Sequence, residues 1–381
     1  MLQKLWKIIK RMLLIVFSLV ALFILAVILF VNTAPQMGQK PEGADLTRIA
    51  QSPNYQKDRF VNIIPTQTGN LKDVFKVLPD FFYGKNQEPK AKLPVRFDDQ
   101  FSAAPDSITT VTWFGHSAFL IQIQGKKLLI DPMLGKIAAP IPFGSKRFPY
   151  EKPIPMDQLK AIDAVIISHD HYDHLDYPSI QKIDAEVKHF FTPLGVGAHL
   201  KHWGVAAEKI TELDWWEETT YEGLKLVAAP SRHFSGRGFT DRDATQWASW
   251  CIIGEHQRLY FSGDGGYGDH FKTIGERFGP FDFAMLECGQ YNPAWGEIHM
   301  SPEESAQAGL DVKAKLAMPI HWGAFKLAVH TWVDPIDRFK AAGDEKGLKY
   351  IHPYIGERIE LGSPYQNEEW WANLSALGKT E

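Results

Sequence analysis

The stretch VIISHDHYDHLDY, residues 165–177, constrains the fold more than any other part of the sequence. Its first four residues suit a buried strand, and eight of the positions that follow hold three histidines and three aspartates. A strand carries its backbone to the edge of a sheet, so side chains of the next turn can converge on one point. His169, His171, Asp173 and His174 carry the nitrogen and oxygen ligands that Zn²⁺ accepts. We therefore predict a metal site at this turn rather than a loop of solvated histidines.

Three further ligand-type residues follow apolar runs elsewhere in the chain. His233 comes after LKLVAAP, Asp264 lies among glycines after RLYFSG, and His321 follows LAMPI. A single histidine or aspartate in such a place is more often structural than functional. Four strand ends that repeat one pattern favour a shared centre, so we predict that these residues join the histidine-rich turn.

The pattern from residue 107 onwards is typical of a mixed α/β domain. Phe119, Ile121 and Ile123 alternate with other residues at the period of a strand, and similar short runs recur up to FAMLEC. Helices are predicted in MDQLKAID, SPEESAQAGLDVKA and DPIDRFKAAGDEKG. In the second of these, Ser301 is the predicted N-cap and Glu304 closes a capping box.

The motifs HDHYDH, SRH, SGD and IHWG occur in this order, after TWFGHSAFLI. From about Val111 to Phe325 the chain resembles the metallo-β-lactamase-fold hydrolases. Within them it is most similar to the branch that contains N-acyl-phosphatidylethanolamine-hydrolysing phospholipase D. The resemblance implies an α/β fold, a four-layer αβ/βα sandwich of two mixed β-sheets that holds two zinc ions.

The same resemblance implies a role for each motif residue. His169, His171 and His233 would hold one zinc ion, Asp173, His174 and His321 would hold the other, and Asp264 would bridge them. In this branch a histidine outside the metal shell is associated with activity, and His299 in EIHMSPEE matches it. Asp264 and His299 are therefore the predicted catalytic residues.

Residues next to these motifs are candidates for supporting roles. Second-layer carboxylates orient metal-bound imidazoles, and Asp131 and Asp176 are candidates, although an aspartate before proline is as often a turn residue. His116 is a candidate for a similar hydrogen bond. Arg232, Arg237 and Arg242 follow one another near His233, where one could bind a phosphate and the others form surface ion pairs.

A dizinc site predicts hydrolysis by a hydroxide that bridges the metals, because two cations lower the pKa of a shared water. The predicted substrates are (N-acyl) phospholipids, cleaved at a phosphodiester as by a phospholipase D. Two alternatives stay open, namely a lactonase or other carboxylic-ester hydrolase on the same site, and a non-catalytic metal-binding scaffold of the cell envelope. The oligomeric state is not predicted.

The N-terminal segment predicts a membrane anchor. Residues 12–31 are apolar except for Ser18, and twenty helical residues span a hydrocarbon core of about 30 Å. Residues 1–11 contain four basic and no acidic residues, so we expect a cytoplasmic N-terminus and a periplasmic or extracellular catalytic domain. A cleaved signal peptide is the alternative, but VNTAPQ lacks a clear cleavage site.

The remaining composition narrows the class of protein. A net charge of −4 among 381 residues argues against a nucleic-acid partner. Cys251 and Cys288 lie in apolar contexts and are predicted to be buried thiols, with a disulfide as the alternative. We predict a linker and N-terminal extension over residues 32–100, the hydrolase domain over 101–362 and a polar tail over 363–381. The loop 136–155 is either a lid or acyl-chain groove, or a packed surface loop.

Overall fold

The computed structural model describes residues 1–69, 71–97 and 101–376. Residues 70, 98–100 and 377–381, which include parts of the predicted extension and tail, lie outside the described residues. Helix α1 (Leu2–Thr33) begins before the predicted apolar segment and ends two residues after it. Pro35 terminates it, because a proline disfavours the helical conformation of the residue before it, and Ala34 is extended at φ −74° and ψ 118°.

Helix α1 is long and apolar enough to cross a membrane. Its 32 residues have an apolar window in which no residue is buried against the rest of the protein. At 1.5 Å per residue it is about 48 Å long, more than the roughly 30 Å of a hydrocarbon core.

Two mixed β-sheets form the body of the protein. Apart from a hairpin of β1 (Tyr55–Gln56) and β2 (Arg59–Phe60), the strands fall into two groups. The first group is β3 (Thr110–Trp113), β4 (Phe119–Ile123), β5 (Lys126–Ile130), β6 (Ile162–Ile166), β7 (Val187–Pro193) and β8 (Ile210–Leu213). The second is β9 (Glu218–Tyr221), β10 (Leu224–Ala229), β11 (Ser249–Ile253), β12 (Arg258–Phe261), β13 (Phe283–Glu287) and β14 (Ala317–Ile320). Strand β15 (Arg358–Glu360) returns to the first sheet.

Both sheets combine antiparallel and parallel pairing. The first has the order β15-β3-β4-β5-β6-β7-β8, antiparallel as far as β5 and parallel from β5 to β8. The second has the order β14-β13-β12-β11-β10-β9, antiparallel from β9 to β12 and parallel from β12 to β14. The predicted fold of two mixed sheets is confirmed.

The remaining helices are short. They are α2 (Ala44–Ile49), α3 (Leu71–Tyr83), α4 (Tyr177–Ile183), α5 (Gly197–His202), α6 (His270–Arg277), α7 (Pro302–Asp311), α8 (Asp334–Lys346) and α9 (Ala372–Ala376). Single 3-10 turns lie at Pro35–Met37, Met156–Gln158, Asp184–Glu186, Ala207–Lys209 and Pro293–Trp295. Helix α7 begins with the predicted capping box of Ser301 and Glu304. The helix predicted in MDQLKAID is only a 3-10 turn, because Ala161 takes a positive φ of 52° directly before β6.

Strand β4 shows how the layers pack. Phe119, Ile121 and Ile123 face the second sheet, and the rings of Phe119 and Phe261 are 6.4 Å apart. Leu120 lies on the other face, in a cluster with α4 and α5. Helices α6, α7 and α8 bury their apolar sides in the cluster that contains the second sheet. All five residues of β4 are buried, as expected for a sheet that is covered on both faces.

The segments on either side of the domain pack against it. Ile49 and Phe60, from the predicted linker, are buried in the main core. Trp370 and Trp371, in the middle of the predicted polar tail, are buried too, and the rings of Trp370 and Trp322 stack 5.4 Å apart. Cys251 and Cys288 are buried and not joined to each other, as predicted.

Candidate metal centre

The turns that carry the predicted ligands lie at one end of the sandwich. The histidine-rich turn follows β6, His233 follows β10, Asp264 follows β12, and His321 follows β14 directly. The carboxyl ends of these strands face the same cleft, so residues far apart in the sequence meet there. All seven predicted ligands lie in this cluster.

One group contains His169, His171 and His233. Nε2 of His169 lies 2.9 Å from Nδ1 of His171, and Nε2 of His233 lies 3.2 Å from the same atom. One ring nitrogen of each histidine lies within 4.8 Å of those of the other two. Three imidazole nitrogens that converge in this way can hold one metal ion.

A second group contains Asp173, His174 and His321, and His116 joins it. Oδ2 of Asp173 is 3.6 Å from Nε2 of His174, 3.9 Å from Nε2 of His321 and 2.8 Å from Nε2 of His116. His116 therefore contacts a candidate ligand, as its position after Gly115 suggested. This group also offers one nitrogen or oxygen from each residue within 4.8 Å of the others.

Asp264 lies between the two groups. Its Oδ2 is 3.0 Å from Nε2 of His174, 3.9 Å from Nε2 of His169 and 4.0 Å from Nε2 of His233. Its Oδ1 is 3.2 Å from Nδ1 of His321. One carboxylate thus contacts members of both groups, which is the geometry required of a bridging ligand.

Burial lowers the pKa of four histidines of the cluster, whereas in His174 the effect of burial is outweighed by the charges of Asp264, Asp173 and Asp131, which raise its pKa well above the usual value. Burial lowers the pKa of His169, His233 and His321 well below the usual value for histidine, and neighbouring imidazoles lower it further. Burial likewise lowers the pKa of His171 to about 4. Burial raises the pKa of Asp264 to about 7, and the charge of Glu287 adds to this shift. These four histidines are therefore neutral at physiological pH, the form in which imidazole binds metals.

Buried polar atoms without hydrogen bonds also point into this centre. They include Nε2 of His174 and Oδ1 of Asp264. A buried polar atom without a partner is costly, and a bound cation removes that cost at ligand lone pairs. The donor set of imidazole nitrogens and carboxylate oxygens suits Zn²⁺ and related divalent ions.

A carboxylate behind the centre orients His174. Nδ1–H of His174 donates to Oδ2 of Asp131 at 2.7 Å, and Ser168 donates to Asp131 through its backbone N–H at 2.7 Å and its hydroxyl at 2.5 Å. Asp131 therefore has the predicted supporting position. For Asp176 the structure favours the local alternative instead, because Asp176 caps helix α4 by accepting from the Ser179 N–H at 3.0 Å.

His299 and Glu287 form a second buried pair in the site, of which only His299 was predicted. His299 lines the cleft, as expected of a catalytic candidate, and its Nδ1 is hydrogen-bonded to the carboxylate of Glu287. Glu287 also accepts from the Gly265 N–H at 2.5 Å, next to Asp264. Glu287 is the last residue of β13 and is fully buried. In FAMLEC it resembles an ordinary strand-end residue, so nothing in the sequence marks it.

Another supporting network holds the histidine-rich turn from behind. Asp170 is buried and lies 3.2 Å from Nε2 of His199, and it accepts from Gly236 N–H and from the Thr245 hydroxyl, each at 2.8 Å. The buried guanidinium of Arg237 donates to the Asp170 and Leu175 carbonyls. Arg237 is thus a structural residue and not a phosphate-binding one.

The N-terminal extension contributes to the same end of the domain. Nδ2 of Asn62 donates to the His233 carbonyl at 2.8 Å, and its Oδ1 accepts from the His233 N–H at 3.1 Å. A lone asparagine carries no signal of such a contact.

The candidate centre opens into a cleft of about 690 Å³. Its walls include Phe234, Arg242, Trp295 and Leu327, and its floor carries His171, Asp173, Asp264, His299 and His321. Of the three arginines that follow one another near His233, only Arg242 lines the cleft, while Arg232 pairs with Glu297 at 2.8 Å. The cleft has room for a ligand of several polar atoms and an apolar portion.

Comparisons with known proteins agree with this architecture. The model of the "Beta-lactamase superfamily domain" matches residues 126–322, more than half of the chain. An uncharacterised protein of Mycobacterium tuberculosis is 38% identical over 340 residues, which cover 86% of this chain and 91% of that protein. N-acyl-phosphatidylethanolamine-hydrolyzing phospholipase D 1 of Caenorhabditis elegans is 33% identical over 265 residues, covering 65% and 74%.

Solved structures show the same fold. A metallo hydrolase from the archaeon Ignicoccus hospitalis superposes with a TM-score of 0.51 at 22% identity, covering 68% of this chain and 100% of that one. At this identity the likeness concerns the fold alone. Together with the family model and the relatives, it shows that this chain belongs to the beta-lactamase superfamily of metal-dependent hydrolases.

Proposed function

We propose that this protein is a membrane-anchored dizinc hydrolase that cleaves a phosphodiester bond of phospholipids, including N-acylated ones. The observation that carries the proposal is the position of Asp264, which contacts both candidate ligand groups at the base of one cleft. A centre with a shared carboxylate holds two metals close together, as in other two-metal hydrolases.

In this proposal the ligand sets follow the two geometric groups. His169, His171 and His233 would hold one metal, Asp173, His174 and His321 would hold the other, and Asp264 would be shared between them. Bound divalent ions would supply Lewis acidity toward the ester and a nucleophile at neutral pH. The unpartnered Nε2 of His174 and Oδ1 of Asp264 fit such ions.

The other residues of the site would position the reactants. Asp131 accepts from Nδ1–H of His174, which leaves Nε2 free as a ligand atom. Glu287 holds the ring of His299 at the cleft floor, where His299 can exchange a proton with the leaving group or hydrogen-bond the ester. Neither serine nor cysteine is needed as a nucleophile.

The substrate class rests on three supports. The Caenorhabditis elegans relative carries the name of a phospholipase D that hydrolyses N-acyl phosphatidylethanolamine. The cleft combines apolar side chains with Arg242, which can pair with a phosphate. Helix α1 would keep the enzyme at a membrane, with its N-terminus cytoplasmic and its domain periplasmic or extracellular.

A substrate panel tests the proposal directly. The full-length protein, loaded with zinc in detergent, is assayed for phosphatidic acid release from phospholipids and for opening of lactones. We expect phosphatidic acid from at least one phospholipid, and loss of that activity in Asp264→Ala. Opening of lactones alone would replace the proposal by the carboxylic-ester alternative, and no turnover in either assay would favour a scaffold.

A further inference from the structure

Beyond Met1 and helix α1, the most exposed large hydrophobic side chains are all aromatic. Among the large hydrophobic side chains that the structure describes beyond residue 33, those at least two-thirds exposed are Phe75 (69%), Phe82 (70%), Tyr83 (84%), Phe143 (78%) and Phe239 (83%). We call these five residues the aromatic rim. Exposed aromatic groups that lie near one another mark an interaction site, since water solvates them poorly.

The first part of the aromatic rim lies on helix α3, beside the mouth of the metal cleft. Asp73, in the first turn of α3, lines the cleft. At the other end of the helix, Lys326 donates to the Phe81 carbonyl at 2.8 Å, and the next residue, Leu327, also lines the cleft. Helix α3 therefore forms one edge of the opening and exposes Phe75, Phe82 and Tyr83.

The other two members lie on loops at the same opening. Phe143 belongs to the loop whose Ala138 lines the cleft, and Phe239 lies between Phe234 and Arg242, which line it as well. The five aromatic side chains thus come from three separate segments of the chain that border one cleft.

Both loops are bonded to the chain just beyond the membrane helix. Nε2 of Gln36 donates to the Pro140 carbonyl at 2.7 Å, and the Gln36 carbonyl accepts from Nε and Nη2 of Arg237 at 3.1 and 2.8 Å. Helix α1 ends at Thr33, three residues earlier. Three residues span at most about 11 Å. The two loops are therefore attached within that distance of the end of α1.

We propose that the aromatic rim docks on the bilayer that α1 spans, so that the metal cleft opens onto the lipid headgroups. A headgroup layer is roughly 5–8 Å thick on each side of the hydrocarbon core. A tether of three residues holds the rim at this depth, where aromatic rings are favoured in membrane proteins. Because α1 keeps the aromatic rim next to the bilayer, a protein partner would have to compete with the bilayer for the same side chains.

The docked orientation explains how a lipid would reach the metals. The glycerophosphate region of a phospholipid would enter the cleft between α3 and the two loops without leaving the membrane. This consequence rests on the proposed function. The docking itself depends only on α1 and the aromatic rim.

Depth-dependent fluorescence tests the docking. The full-length protein carries single substitutions Phe82→Cys, Phe143→Cys or Phe239→Cys, labelled with an environment-sensitive fluorophore in phosphatidylcholine–phosphatidylglycerol vesicles. The native thiols of Cys251 and Cys288 are fully buried and will not compete for the label. His256→Cys is the matched control, because His256 is exposed in the turn between β11 and β12, at the opposite end of β12 from Asp264.

The expected result is a blue-shifted emission at the three rim positions, quenched roughly twofold or more by lipids that carry nitroxides near the headgroup. The label at position 256 should stay water-like and unquenched. Rim labels that behave like the control would overturn the proposal. The proposal would also be overturned if the rim labels were shielded in detergent as well, stayed unquenched by the nitroxide lipids and could be cross-linked between chains. The rim would then pack against a second copy of the protein.

An activity assay separates docking from catalysis. In Phe143→Ser/Phe239→Ser, we expect hydrolysis of vesicle lipids to fall about tenfold while a short-chain, water-soluble diester is cleaved at the parental rate. Equal rates on vesicles for the variant and the parent would contradict delivery through the rim. Quenching at the rim without hydrolysis of any phospholipid would leave the docking intact and remove the proposed substrate.

Discussion

Replacing Asp131 by asparagine should weaken metal binding mainly at the ligand group that contains His174, and less at the group of His169, His171 and His233. Asp131 accepts three hydrogen bonds, two from Ser168 and one from Nδ1–H of His174 at 2.7 Å. Asparagine keeps one oxygen for the Ser168 backbone and presents an NH₂ group to the other two donors. The ring of His174 is then favoured with its proton on Nε2, the atom that lies 3.0 Å from Asp264.

The size of the effect follows from this change of tautomer. Loss of such a supporting hydrogen bond lowers metal affinity about 10- to 100-fold, which is roughly 1.4–2.8 kcal/mol. The effect should fall on the group of Asp173, His174 and His321. The group of His169, His171 and His233 should lose less, because none of its ring nitrogens contacts Asp131 directly and only Nδ1 of His169 is linked to it, through the Ser168 hydroxyl at 2.9 Å.

Competition with a zinc chelator measures both affinities in the full-length protein. Asp131→Asn should release one metal at about 10- to 100-fold lower chelator concentration than the parent and retain the other. Asp176→Asn is the matched control, because asparagine also caps helices well and the parental affinities should persist. Parental affinity in Asp131→Asn, or an equal loss in Asp176→Asn, would refute the role assigned to Asp131.

Three further outcomes follow from the structure. Arg237→Met should lower the free energy of unfolding by about 3 kcal/mol in denaturant titrations, since it leaves buried carbonyls without donors, whereas Arg48→Met, which removes only an exposed pair with Glu217, should cost under about 1 kcal/mol. Gly289→Ala should reduce kcat/KM about 100-fold with little loss of secondary structure by circular dichroism, because a Cβ there would lie 1.9 Å from the His321 carbonyl and displace that ligand. Burial lowers the pKa of His352 from 6.5 to about 4 in the folded protein, so between these pH values only the unfolded chain binds a proton at this residue. The free energy of unfolding therefore decreases as the pH is lowered. In denaturant titrations, the free energy of unfolding of His352→Gln should fall by about 2 kcal/mol less than that of the parent when the pH is lowered from about 7.5 to about 5.

The residues that the sequence identified share a local signal. His233, Asp264 and His321 each follow a run of apolar residues, so their position at a strand end could be inferred without knowing which strands pair. Ser301 and Glu304 have the spacing of a capping box, which depends only on neighbouring backbone. Patterns of this kind depend only on neighbouring residues, so they can be recognised without knowledge of the tertiary structure.

The residues that the sequence missed act through contacts between distant segments. Glu287 is buried at the end of β13 and meets His299 only because α7 and its preceding turn pack over that strand. Asn62 hydrogen-bonds the backbone of His233, which lies 171 residues further along the sequence. For Asp176 the sequence left a supporting role and a turn role open, and its carboxylate caps α4 instead, at the start of a proline-containing first turn. Neither strand order nor such long-range contacts can be inferred from local periodicity.

Anomalous diffraction at the zinc edge, from crystals of the full-length protein purified with zinc, tests the central claim most directly. We expect two peaks per chain, about 3.5–4 Å apart. One peak should lie among His169, His171 and His233, the other beside Asp173, His174 and His321, with Asp264 bound to both. A single peak, or metals bound away from Asp264, would contradict it.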